Sequence, residues 1–201
     1  MTGKGCDTLS TLSELIQSGL RESIAVKGAT LEQVAPAIEQ AAQMLIDCYR
    51  GGHKVLVCGN GGSAADAQHF EAEMVGRFLK ERRPLPAMAL HTNSSTLTAI
   101  GNDYGYEETF TRPVAAYGQP GDVLLAISTS GNAANVCAAV ALARQMQMHT
   151  IGLTGHPGGR LAQLVHLLIA VPSTSTPRIQ EAHVSIIHLL CQAVEEDVFP
   201  G

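Results

Sequence analysis

Five short apolar runs, each stopped by small or polar residues, constrain this chain more than any other feature. They fall at residues 54–58 (KVLVC), 87–90, 122–127 (DVLLAI), 149–153 and Leu167–Val171. Strands that are apolar throughout, rather than at alternate positions, must be covered on both faces. Helical stretches are predicted between and after them, over 63–79, in segments to about residue 117, to about residue 146, and over 178–198. Strands alternating with helices make a parallel sheet. The expected fold is α/β, a three-layer sandwich around a five-stranded parallel sheet.

A helical extension precedes the sheet. Leu9, Leu12, Leu15, Ile16, Leu20 and Ile24 recur at helical spacing, and Val34, Ile38, Ala41, Leu45 and Ile46 do so again. The spacing predicts two helices in residues 8–50 with a break at 27–30, where Thr30 and Gln33 make a capping box for the second. No linker or internal repeat divides the chain. One domain over 1–201 is expected, with helices for oligomer assembly at 1–50 and the α/β core at 51–201.

Composition narrows the possible partners. The net charge of −5 argues against broad capture of nucleic acid, which needs clustered Lys and Arg. The densest basic stretch, residues 80–83, reads as a solvated helix end or turn. Five scattered cysteines without a CxxC pair indicate neither a zinc knuckle nor a disulfide framework. Residues 1–10 lack the apolar core of a signal peptide, and no run is long enough to span a bilayer. The expectation is a soluble cytoplasmic chain with no membrane or nucleic-acid partner.

In an open parallel sheet, ligands bind beyond the carboxyl ends of the strands. Two such ends carry Gly59-Asn60-Gly61-Gly62-Ser63 and Ser128-Thr129-Ser130-Gly131-Asn132. Each leads into a helix, so each aims backbone N–H groups and the positive end of a helix dipole at an anion. Either loop alone reads equally well as an ordinary βα turn; the two together favour a phosphate. Gly59, Gly61 and Ala64 also satisfy a dinucleotide pattern, but the second strand ends in His91-Thr92-Asn93 rather than an acidic ribose ligand. No P-loop motif occurs. A small phosphorylated ligand remains.

His69 and Glu73 share one face of the helix after the glycine loop. The last helix carries Gln180, Glu181, His183 and His188, with Gln180 and His188 on one broad face. Spacing alone also allows surface or capped side chains at all of these positions.

Five blocks together resemble the phosphoheptose isomerases of the sugar isomerase (SIS) fold: CGNGGSAADAQHFEAEMVGRF at 58–78, GNDYGYEETF at 101–110, GDVLLAISTSGN at 121–132, LTGHPGG at 153–159 and RIQEAHVSIIH at 178–188. The resemblance implies a flavodoxin-like SIS domain. It also implies interconversion of sedoheptulose 7-phosphate and D-glycero-D-manno-heptose 7-phosphate through an enediol, toward lipopolysaccharide or other nucleotide-heptoses. Glu73 is the implied catalytic base and His188 its acid/base partner. Substrate contacts are implied at Asn60, Gly61, Gly62, Ser63, Asn102, Asp103, Ser128, Thr129, Ser130 and Gln180. A zinc ion, one per subunit, is implied on His69, Glu73, Gln180 and His188. The resemblance further implies a homotetramer with active sites at subunit interfaces, His188 or its neighbours of one chain approaching Glu73 of another.

Two positions depart from the pattern. Ala133 stands where many members carry another Ser, a loss of one donor worth about 1 kcal/mol. Pro177 precedes Arg178 where others have Asp or Ala, a change expected at the start of the last helix. The same fold includes a non-catalytic protein that binds the replication initiator DnaA, which residues 97–100 and 198–200 also resemble. Glu73 and His188, which that relative lacks as a pair, favour the enzyme.

Overall fold

The computed structural model describes residues 11–200; Cys6, Leu9 and the expected helix start at residue 8 lie outside the described residues. The apolar runs form β1 (Val55–Gly59), β2 (Ala87–Ala89), β3 (Val123–Ile127), β4 (His149–Gly155) and β5 (Leu167–Val171). All pair in parallel, in the order β2-β1-β3-β4-β5. Successive residues of a strand point to opposite faces. Val55, Val57, Val123 and Leu125 therefore join one core, and Leu56, Cys58, Leu124 and Ala126 the other.

The first core is covered by α1 (Leu12–Arg50), α2 (Gly62–Val75) and α6 (Thr176–Val198). The second is covered by α4 (Thr111–Tyr117) and α5 (Ala134–Gln145), with α3 (Ser94–Tyr104) following β2. This is the expected three-layer sandwich. Its strand order reverses direction between β1 and β3, and the crevice at such a switch point is where a ligand sits.

The N-terminal extension differs from expectation. One unbroken helix of 39 residues replaces the two, and its capping box is Thr11 with Glu14 rather than Thr30 with Gln33. Thr30 lies inside the helix and donates to the Val26 carbonyl at 2.8 Å. Gly28 weakens a helix by only about 1 kcal/mol, too little to break one that packs along much of its length. Even Pro36 is accommodated within it. The second half packs against α6 and β5, whereas Leu12, Leu15, Ile16, Leu20 and Ile24 stay exposed in the single chain.

The basic stretch does lie in a turn with Glu81 and Arg83 exposed, and one of its residues is the second correction. Arg82 is not solvated: its side chain is 1% exposed and ion-paired at 2.9 Å to equally buried Glu195 of α6. For this reason α2 ends at Val75 instead of residue 79. The Glu195 carboxylate takes the N–H groups of Phe78, Leu79 and Lys80, which a longer helix would have used internally. Pro177 falls in the first turn of α6, where its missing N–H matters least. No helix among the described residues is long and apolar enough to cross a membrane. Cys48, Cys58, Cys137 and Cys191 are free and buried.

Candidate active site

The two glycine- and hydroxyl-rich loops meet at the switch point. Asn60, Ser63, Ser128, Thr129, Ser130 and Ala133 line a cleft of about 180 Å³. Gly61 has φ of 57°, and Gly62 opens α2. A Cβ at Gly62 would run into the amide of Gln180, so the glycine lets α6 close on the loop. In the second loop, Gly131 accepts a positive φ of 67° where any Cβ would strike the Gly158 backbone. Gly155 N–H donates to the Thr129 carbonyl at 2.9 Å and Arg160 N–H to the Asn132 side chain at 3.0 Å, which tie the loop to the end of β4. The result is a cradle of hydroxyls and helix starts suited to one phosphate.

The cradle is braced by residues that spacing could not single out. Asn60, just after β1, and Asn135, in the first turn of α5, exchange amide hydrogen bonds of 2.9 and 3.0 Å. The Tyr106 hydroxyl donates to Asn60 at 2.9 Å, and Asn135 also donates to Thr109 at 3.1 Å. The only sequence signal for Asn135 is its place in the first turn after the Ser-Thr-Ser-Gly loop.

Further along α2, His69 and Glu73 face α6. His69 Nε2 lies 3.6 Å from Glu73 Oε1 and 2.7 Å from His188 Nε2. One ligand atom from each residue falls within 4.8 Å of the others. This convergence occurs inside one chain. The two rings lie edge to face with centroids 5.0 Å apart, and Phe78 packs on His188 at 5.5 Å. The trio is half-buried, at once open to a ligand and shielded from bulk water.

Two nitrogens and a carboxylate oxygen are donors that suit zinc. The imidazole contact needs a proton on one ring, and a divalent cation drawing on both nitrogens replaces that proton. Gln180 lies against Gly62, at the boundary between this cluster's helix and the cradle.

Nearby Asp66 is buried with an unpartnered Oδ2. Burial lifts its carboxyl to about 6, although His69 pulls the other way. His183, for which spacing allowed a solvated reading, is fully buried and bonded through Nε2 to the Thr154 carbonyl at 3.1 Å. It braces α6 against β4 and does not face the cluster's open side. Asn102 and Asp103 are not brought to the cleft: both are exposed near the end of α3, and Asn102 donates to Asp103 at 2.8 Å.

This geometry can be set beside known proteins. The family model described as SIS domain matches residues 20–155. The chain is 58% identical over 166 residues to the phosphoheptose isomerase of Rhodospirillum rubrum, spanning 83% of this chain and 88% of that protein. It is 53% identical over 186 residues to that of Geobacter sp. strain M21, spanning 92% and 97%. The solved structure of phosphoheptose isomerase GmhA from Neisseria gonorrhoeae matches with a TM-score of 0.88 and 46% identity, spanning 92% of this chain and 100% of that one.

Proposed function

This chain belongs to the phosphoheptose isomerases of the SIS-domain family, and from that premise we propose that it interconverts sedoheptulose 7-phosphate and D-glycero-D-manno-heptose 7-phosphate. The observation that carries this reading is the convergence of His69 and Glu73 of α2 with His188 of α6, two turns beyond the anion cradle at the start of α2.

The sugar is held at both ends. Ser63, Ser128, Thr129 and Ser130 take the phosphate, with Asn60, Gly61 and Gly62 forming the floor of the loop. Gln180 reaches the sugar's hydroxyls from α6. Glu73 removes a proton from C1 of the ketose and returns it to C2, while His188 gives a proton to the C2 oxygen and recovers one from the C1 hydroxyl. Proton and charge balance across the cis-enediol, and the carboxylate and imidazole end in their starting states. Asn102 and Asp103, exposed and outside the lining of the cleft in one chain, belong in this proposal to the sugar-binding surface completed by a neighbouring subunit.

His69, Glu73 and His188 fit zinc as a donor set, with Gln180 as a fourth oxygen donor. When bound, the ion supplies Lewis-acid polarisation of the sugar oxygens and offsets enediolate charge. A histidine that ligates through Nε2 carries no proton there. Metal occupancy and proton transfer therefore draw on the same nitrogen of His188.

The exposed apolar stripe of α1, beside a groove of about 250 Å³ formed with α6, supports assembly into a homotetramer. We place the reaction in the cytoplasm, where free thiols such as Cys58 persist, supplying nucleotide-heptose and lipopolysaccharide synthesis. Neither the geometry nor these relatives favour the initiator-binding alternative. The test is conversion of sedoheptulose 7-phosphate by the purified protein, followed by NMR with and without zinc, against Glu73→Gln and His188→Gln. Turnover abolished by both substitutions supports the assignment; a folded wild-type protein that is inert under both conditions rejects it.

A further inference from the structure

We infer that the buried Arg82–Glu195 pair is a positioning device that fixes the Glu73 end of α2 against the helix carrying His188. The inference rests on the isomerase reading above.

Arg82 lies beyond α2 but turns back onto its last turn. Its Nη2 donates to the carbonyl of Glu73 at 2.7 Å and its Nη1 to the carbonyl of Met74 at 2.8 Å. These are carbonyls that a helix end leaves without intrahelical partners, and a cation there also complements the helix dipole. The guanidinium thus grips the backbone of the proton-moving residue itself. Its Nε donates to Glu195 Oε1 at 2.9 Å. Glu195 follows His188 by two turns of α6, on the same face. Its carboxylate also accepts N–H bonds from Phe78, Leu79 and Lys80 at 2.8 to 2.9 Å, so both oxygens are saturated. Phe199 covers the pair, its ring centroid 5.7 Å from the Arg82 guanidinium carbon.

Stability alone is a poor explanation for such a pair. Desolvating two charges is expensive, and well-packed apolar replacements commonly do as well or better. What apolar residues cannot do is hold the Glu73 carbonyl at a set distance from α6. Glu73 and His188 come from different helices, and their reach for the sugar depends on that distance. Misplacement by about 1 Å can slow catalysis about 100-fold.

The test compares wild type, Arg82→Lys, Glu195→Gln and the double variant Arg82→Met/Glu195→Met for kcat, KM and melting temperature. The double variant removes both charges together and leaves no uncompensated ion. The expected result is a kcat about 10- to 100-fold lower in the double variant and in Glu195→Gln. KM is expected to stay within about threefold, because the phosphate cradle is untouched, with Arg82→Lys intermediate. A purely structural pair would lower the melting temperature without this split. Folded Glu195→Gln or double variant with kcat within about twofold of wild type overturns the inference. If the wild-type protein itself is inert, the isomerase reading falls, and this inference with it.

Discussion

His69 and His188, from α2 and α6, meet Nε2 to Nε2 at 2.7 Å with Glu73 on the same side. Two imidazoles this close share a proton, which a zinc ion taking both nitrogens would replace. One zinc ion per chain is expected by calorimetry on metal-stripped protein. His69→Ala is expected to weaken uptake by more than about 100-fold, beyond the loss typical of an outer partner. Uptake equal to wild type in that variant would place the ion elsewhere.

Glu73 is the proton carrier in the proposed reaction. Glu73→Gln keeps its shape and removes its basicity. General acid–base contributions run about 100- to 10,000-fold, so kcat is expected to fall within that range while KM changes little. A steady-state kinetic series on the folded variant decides this; a large rise in KM with kcat intact would make Glu73 a binding residue instead.

The cradle should be tunable from both directions. Ser128→Ala removes a buried donor from the cleft and is expected to raise KM about fivefold, equivalent to about 1 kcal/mol. Ala133 lines the same cleft at the N-cap of α5. Ala133→Ser adds a donor there and a better cap, so it is expected to lower KM by a similar factor and raise the melting temperature. Opposite signs in the two variants are the signature of a phosphate held at this point.

His183 sets an acid limit on the fold. Burial pushes its imidazole down to about 4, against the smaller upward pull of its bond to the Thr154 carbonyl. The folded state therefore binds fewer protons than the unfolded chain between the ordinary histidine value, about 6.5, and that depressed value. The neutral imidazole is without penalty above about pH 6.5, and stability is lost as pH falls from there toward 4. The loss due to His183 is expected to reach about 2 kcal/mol at pH 5. Urea titrations at pH 7 and 5 measure it, and His183→Gln should flatten that part of the profile.

Glu195 acts at lower pH still. Burial alone would raise its carboxyl, but the N–H groups of Leu79, Lys80 and Phe78 and the Arg82 guanidinium outweigh it and hold it below the glutamate range. Its contribution is present above the unfolded glutamate value and lost as pH falls through the lower folded one. The residual acid lability of His183→Gln should therefore diminish when Glu195→Gln is added.

The apolar stripe of α1 makes a separate prediction. Leu20 and Ile24 are 62% and 71% exposed in the single chain. Leu20→Asp/Ile24→Asp is therefore expected to leave each chain folded but dissociate the proposed tetramer, read as a fall in mass by light scattering. An unchanged mass would remove α1 from the interface.

What the sequence disclosed was local. Apolar runs such as DVLLAI and the Gly-Asn-Gly-Gly-Ser loop carry their own strand and turn chemistry, so the sheet and the cradle could be read directly. The continuity of α1 was hidden because Gly28, Thr30 and Pro36 resemble a break, whereas packing against α6 and β5 overrides their weak preferences. Arg82 looked solvated because its partner lies 113 residues away, and no spacing rule links the two. The Asn60–Asn135 exchange was hidden for the same reason.

The unbroken run of α2 has one more consequence. Ser63 at its start and Glu73 near its end are ten residues apart on a single rigid element. In the proposed reaction, a sugar phosphate anchored at the first is therefore measured by a ruler that cannot stretch. A shorter sugar, gripped equally well by its phosphate, presents its carbonyl carbon short of the carboxylate. Selection by chain length is thereby built into the backbone, before any side chain inspects a hydroxyl.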